Sequence, residues 1–197
     1  MRIRAKCRTR ILQLGITCIL FATSLLAQKE TFAPANDVSF TVSAERRSYK
    51  VGEQITLNYR IANISNAPLY VPREREVKCP AFPHVSAWFE NRSGKHFIPG
   101  YGGDCWTKIN SLTITERMSK EAVLLTPGEH LDGTFRLDTK LFGGLNPGAY
   151  RIEAALYGWA EEKFTDAEKS ELARMPYPFL RGEIPNSVRI TLTSNEK

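Results

Sequence analysis

Two stretches of the chain alternate apolar and polar positions with a period of two. In the first, Phe40, Val42 and Ala44 share one side. In the second, Ile55, Leu57, Tyr59 and Ile61 face away from Gln54, Thr56, Asn58 and Arg60. This alternation predicts strands with one buried face. Tyr49-Lys-Val-Gly-Glu53 supplies the turn between them, with Gly52 free to adopt a positive φ. Residues Asn63 to Pro68 end the second strand with turn formers, and Leu69 to Val71 make a short third strand stopped by Pro72.

The same reading carries down the chain. Val85, Ala87 and Phe89 alternate, and Asn91 to Lys95 turns them into a hairpin that returns through His96 to Ile98. Ile109 to Glu116 alternates again and is expected as a strand. Ala122 to Leu125, Leu131 to Leu137 and Gly148 to Gly158 are expected strands, the last with Tyr150, Ile152, Ala154 and Leu156 on one face. Thr165 and Glu168 form a capping box ahead of a helix over Asp166 to Arg174, ended by Pro176. Val188, Ile190 and Leu192 close the chain as a strand. Short strands separated by turn signals predict an all-β fold. It is an antiparallel β-sandwich with one short helix inserted before the last strand.

The N-terminus follows different rules. Arg2, Arg4, Lys6, Arg8 and Arg10 precede an uncharged apolar run from Ile11 to Ala27. A basic start, an apolar middle and Ala27 at the end predict a signal peptide over residues 1–27. The competing reading is an uncleaved anchor, but the run falls short of the roughly 20 residues a spanning helix needs. The expected location is secreted or periplasmic. Residues 28–37 read as a flexible lead-in and 38–197 as the sandwich domain.

Removing the leader changes the charge. The chain carries 27 basic and 21 acidic residues, and the leader holds five of the basic ones and none of the acidic ones. That leaves 22 against 21, a net charge of +1. The basic balance belongs to the leader, so it implies no nucleic-acid partner, and membrane contact only through an uncleaved leader.

Candidate chemistry is sparse. Cys79 and Cys105 are an even pair in an exported chain, which predicts one disulfide. Such a bridge stabilises by about 3 to 4 kcal/mol in the chain-entropy account. With His84 and His96 the cysteines also form the one metal-like set, but no close Cys-x-x-Cys or His-x-x-x-His pair seeds a zinc site. No metal or other cofactor is expected. Glu161, Glu162, Asp166, Glu168 and Glu171 read as a solvated helix start rather than as paired catalytic carboxylates. Gly100, Gly102 and Gly103 lack the following helix of a phosphate loop, and no Gly-x-Ser-x-Gly elbow is present. The pattern gives no support for an enzyme.

Aromatic residues remain. Tyr101 and Trp106 lie in a Gly-rich loop, and Trp159, Tyr177 and Phe179 lie in a long excursion from Gly158 to Asn186. Aromatics on rigid loops supply binding hot spots or sugar-stacking platforms; the competing reading is that they pack the excursion onto the sandwich.

Tyr49-x-Val-Gly-Glu-x-Ile-x-Leu-x-Tyr-x-Ile-x-Asn-x-Ser65, Thr126-Pro-Gly-Glu129 and Pro147-Gly-Ala-Tyr150 resemble bacterial immunoglobulin-like modules. Among these the pattern is loosely similar to the intracellular proteinase inhibitor family. The resemblance covers about Val38 to Tyr157 plus the closing strand. It implies an immunoglobulin-like sandwich that acts by binding another protein. The secretory leader, the cysteine pair and the excursion depart from that family, and no functional residue carries over. The expected function is an exported, non-enzymatic protein-binding module. A carbohydrate-binding module and a metal-dependent enzyme are the alternatives.

Overall fold

The alternation from Gln54 to Asn63 becomes the middle strand of a three-stranded sheet. The computed structural model describes residues 30–73, 85–99 and 113–194, within a compact unit that runs Thr31–Lys197. In order, the elements are β1 (Phe32–Ala33), β2 (Val38–Ala44), β3 (Ser48–Lys50), β4 (Gln54–Asn63), β5 (Leu69–Pro72), β6 (Val85–Asn91) and β7 (His96–Phe97). Then come α1 (Ile114–Glu121), β8 (Ala122–Leu125), β9 (His130–Asp138), β10 (Gly148–Tyr157), α2 (Asp166–Leu172), β11 (Phe179–Leu180) and β12 (Glu183–Thr193).

Three sheets form among the described residues. One has the order β2-β4-β9, a second β3-β12-β10-β6-β7, and a third β1-β11-β5-β8. The first two are the layers of an immunoglobulin-like sandwich. Ile55, Leu57, Tyr59 and Ile61 of β4 share one core with Phe89 of β6, Tyr150, Ile152, Ala154 and Leu156 of β10, and Ile190 and Leu192 of β12. Each fully buried Ile or Leu contributes roughly 1.5–3 kcal/mol, so this shared face holds the layers together. Tyr49 and Lys50, expected within a turn, instead lie in β3, which joins the second layer by pairing parallel to β12. Burial of Tyr49 in the core explains the crossing.

Two polar devices lock the layers. The Asn186 side chain of β12 reaches β2, donating from Nδ2 to the Phe40 carbonyl at 3.1 Å and accepting from Val42 N at 3.3 Å. Tyr150 Oη donates to the Asn146 carbonyl at 2.9 Å and accepts from Asn146 N at 3.1 Å. This is a tyrosine corner, and it accounts for the Pro-Gly-Ala-Tyr pattern.

The third sheet separates two cores. Ala33, Leu69, Val71, Leu125 and Leu180 face the sandwich core. Phe32 and Phe179 point the other way, into a second core with Ile114, Met118, Trp159, Phe164 and Leu172. Tyr70 and Ala122 pack against that second core. Strands buried on both faces read as continuous apolar runs, as Leu69-Tyr-Val71 does.

Two expectations need correcting. From Phe32 on, the expected lead-in is not free, because Phe32 fills the second core and β1 pairs parallel to β11; residues 28–29 lie outside the described residues. The strand expected over Ile109 to Glu116 is replaced from Ile114 onward by α1; residues 109–112 lie outside the described residues. Thr113 and Glu116 make a capping box there, with Thr113 N donating to Glu116 Oε2 at 2.9 Å. Ile114 and Met118, four residues apart, bury one helical face. The helix expected after Thr165 forms as α2, with the expected capping box.

Asn63, at the end of β4, is fully buried. Its Nδ2 donates to the Ala67 and Leu125 carbonyls, both at 2.9 Å, and its Oδ1 accepts from Ser65 N at 3.0 Å and Ser65 Oγ at 2.8 Å. The amide thereby ties the first sheet to β8. Asn63→Ala would strip these groups of their partner, and we expect it to destabilise by about 2–4 kcal/mol. Equilibrium urea unfolding measures this; a change within experimental error would show the clamp to be dispensable.

Candidate functional site

The outward side of the three-stranded sheet carries short polar side chains in rows set by register. Thr41 pairs with Arg60 and Arg60 with Asp132; Ser43 pairs with Asn58 and Asn58 with Thr134. These six side chains, with Val42, Tyr59 and Gly133, line an open hollow of about 650 Å³. Strand alternation places them: Ile55 to Ile61 turn their apolar members inward, so the intervening positions must face out.

The centre of the hollow is an ion pair. Arg60 Nε donates to Asp132 Oδ1 at 2.7 Å and Nη2 donates to Oδ2 at 2.9 Å, a bidentate fork. The Arg60 guanidinium holds the Asp132 carboxyl below its usual range, chiefly through that hydrogen bond, and nearby His130 acts in the same direction. Arg60 is raised in turn. Both side chains are about half exposed, so the pair contributes little to stability. Its consequence is geometric: one fixed positive and one fixed negative group stand among hydroxyls and an amide.

The floor of the hollow is also specified. A Cβ at Gly133 would overlap Cζ and Oη of Tyr59. The Tyr59 ring therefore occupies the space a side chain at 133 would take, tilted against Phe40 and Phe135 at 6.4 and 6.3 Å. This contact was not foreseen, although a lone glycine in an apolar strand face is a signal of close approach.

The aromatic residues singled out from the sequence fare differently. Trp159 and Phe179 are buried, their rings 5.3 Å apart and edge to face. Stacked rings of Phe179 and Tyr70 lie 4.8 Å apart. These two residues therefore do not present a contact surface: the excursion spends them on the second core. Tyr177 is half-buried, beside Tyr70. Tyr101 and Trp106 lie outside the described residues, as do Cys79, His84 and Cys105 and thus the expected disulfide.

The acidic cluster has structural partners. Glu168 caps α2, its carboxyl lowered by the hydrogen bond from Thr165 N. Glu171 accepts a hydrogen bond from Thr115 and joins the two helices. Glu161 pairs with Arg181 at 3.2 Å. His96 and His130 are exposed, beside Glu90 and Asp132 respectively. Among the described residues no group of three His, Cys, Asp or Glu side chains gathers in a metal-binding arrangement.

No family model and no curated protein matches the chain. Solved structures align weakly. A β-glucosidase from Erythrobacter marinus has a TM-score of 0.41 and 15% identity over 79% of this chain, which spans 15% of that enzyme. The C-terminal domain of wzt has a TM-score of 0.40 and 10% identity, covering 81% of this chain and 75% of the other. The CARDB domain of the PF1109 protein from Pyrococcus furiosus, in complex with di-metal ions, has a TM-score of 0.35 and 12% identity, covering 81% and 94%. These likenesses carry no argument about activity, and none of them supports the narrower likeness to proteinase inhibitors.

Two outcomes follow for variants. Trp159→Ala empties part of the second core and should cost about 3–5 kcal/mol, read by thermal or urea unfolding. A loss under about 1 kcal/mol would place the indole at the surface instead. Gly133→Ala should destabilise by about 1–3 kcal/mol through overlap with Tyr59, and adding Tyr59→Leu should recover part of that loss in a double-mutant cycle. Additive losses would contradict the contact.

Proposed function

We propose that the chain is a non-enzymatic, exported immunoglobulin-like binding module that takes a protein partner on the outward face of its three-stranded sheet. The hollow centred on the Arg60–Asp132 fork is the observation that carries this reading. Its polar groups sit on paired strands rather than on a loop, so little side-chain or backbone freedom remains to be lost on binding. Hydrogen-bonding groups over an open surface suit the roughly ten direct hydrogen bonds that a typical protein interface carries. The basic and apolar leader supports export.

A carbohydrate ligand is the second reading. Hydroxyl, amide, guanidinium and carboxylate groups also match sugar hydroxyls. The described lining weighs against it, since its one aromatic ring, Tyr59, is buried rather than offered as a stacking face.

Site-directed photo-crosslinking separates the two. A photoreactive residue replaces Thr41 in the hollow or, as a control, Arg189 on the exposed outer side of the second layer. The expected result in the native host is a discrete protein adduct from position 41, absent from position 189 and lost when Arg60→Glu is added. No adduct from position 41, together with retention of the purified chain on a polysaccharide matrix, would overturn the protein reading in favour of the sugar.

A further inference from the structure

The two edges of the three-stranded sheet are treated differently. At β2, the Asn186 amide ties the edge to the second layer. At β9, the described residues supply one strand partner only, β4. β9 is nine residues long, above the usual strand length, and has no proline. A long edge with no second strand partner among the described residues is what natural sheets normally avoid.

The sequence of that edge is complementary to itself when read in reverse. An antiparallel pair of β9 strands centred on Thr134 sets His130 opposite Asp138, Leu131 opposite Leu137, Asp132 opposite Arg136 and Gly133 opposite Phe135, with Thr134 on its own copy. The outward positions thus match Asp132 with Arg136 twice over the two-fold axis, and set His130 opposite Asp138. The inward positions match leucine with leucine and set the half-buried Phe135 opposite Gly133, where the Tyr59 ring already fills the space a side chain would take. The opposite-charge and leucine pairs are favourable across strands. A two-fold axis through one residue is compatible with either hydrogen-bonding parity of an antiparallel ladder. Shifting the register by two residues either opposes Asp132 to Asp138 or sets Asp132 opposite Thr134 and Arg136 opposite His130, so only the alignment about Thr134 gives Asp132 and Arg136 an opposite charge. Asp132 is already held in place by Arg60, and Asp138 by the turn it caps through Lys140 N. Both therefore offer fixed carboxylates.

We infer that β9 is a homodimer interface: two copies of this chain pair antiparallel through β9 about Thr134, joining their three-stranded sheets into one continuous sheet and placing Asp132 of each copy opposite Arg136 of the other. The occupant of the edge is a second copy because the charge pattern is satisfied by its own reverse, a property an unrelated strand would have no reason to share. This inference does not rest on the proposed partner at the hollow, and either can fail alone.

The chain is expressed, and its mass in solution is followed by sedimentation against concentration. A monomer–dimer equilibrium is expected. Arg136→Asp sets like charges across the axis at two symmetry-related points and should weaken dimerisation about tenfold or more. Asp132→Arg with Arg136→Asp restores opposite charges between copies and should recover the dimer. Thr134→Cys should form an inter-chain disulfide under mild oxidation, while Asn58→Cys, on the middle strand, should not. A monomer up to high micromolar concentration overturns the inference, as does a dimer indifferent to Arg136→Asp. Absence of the Thr134→Cys crosslink in a chain that still dimerises overturns the register and with it the proposal. Circular dichroism of each variant establishes that it is folded.

Discussion

A sheet of four short strands stands between two apolar cores and exists because both are there. β1 and β11 contain two residues each, and each gives one side chain to either core: Ala33 and Leu180 to the sandwich, Phe32 and Phe179 to the second cluster. Strands this short have too few ladder hydrogen bonds to persist alone. Burial on both faces holds them. The excursion after β10 and helix α1 are fastened to the sandwich through this wall, with Trp159 N donating to the Leu180 carbonyl at 2.8 Å.

That arrangement explains what was legible in the sequence. Where one face of a strand meets a core and the other meets water, as in β4 and β10, alternation names the buried residues almost one for one. The second core lacks such a pattern, because its members come from two helices, a connecting loop and two-residue strands. Its aromatics consequently read as a loop platform, and Phe32 as part of a flexible lead-in. The α1 error has a narrower cause. Leu112 and Ile114 fit a period of two, whereas Ile114 and Met118 fit a helical face, and the Thr113–Glu116 capping box settles the choice. The same Thr-x-x-Glu signal at Thr165 was enough to place α2, where no strand-like alternation competed with it.

The outward face of the three-stranded sheet was visible in outline only. Alternation sends Thr41, Asn58, Arg60 and Thr134 to solvent but cannot tell that register brings Arg60 against Asp132, seventy-two positions away. Nor can it tell that Tyr59 lies under Gly133. Those are long-range facts, fixed by how β9 returns to β4. They turn an ordinary polar face into one with a preset charge pair at its centre. The same face ends at an edge whose charges mirror each other. Burying the conspicuous aromatics Trp159 and Phe179 removes them from the surface and leaves sheet-borne polar groups as the candidate contacts.

Hydroxyl-radical footprinting of the folded chain, read residue by residue by mass spectrometry, tests the division between core and surface most directly. The two-core account predicts that Trp159, Phe179, Phe32 and Met118 resist oxidation until the protein unfolds, while exposed Leu124 and His130 react in the native state. Rapid oxidation of Trp159 and Phe179 in the native protein would contradict it, and would return the excursion to the surface as a binding platform.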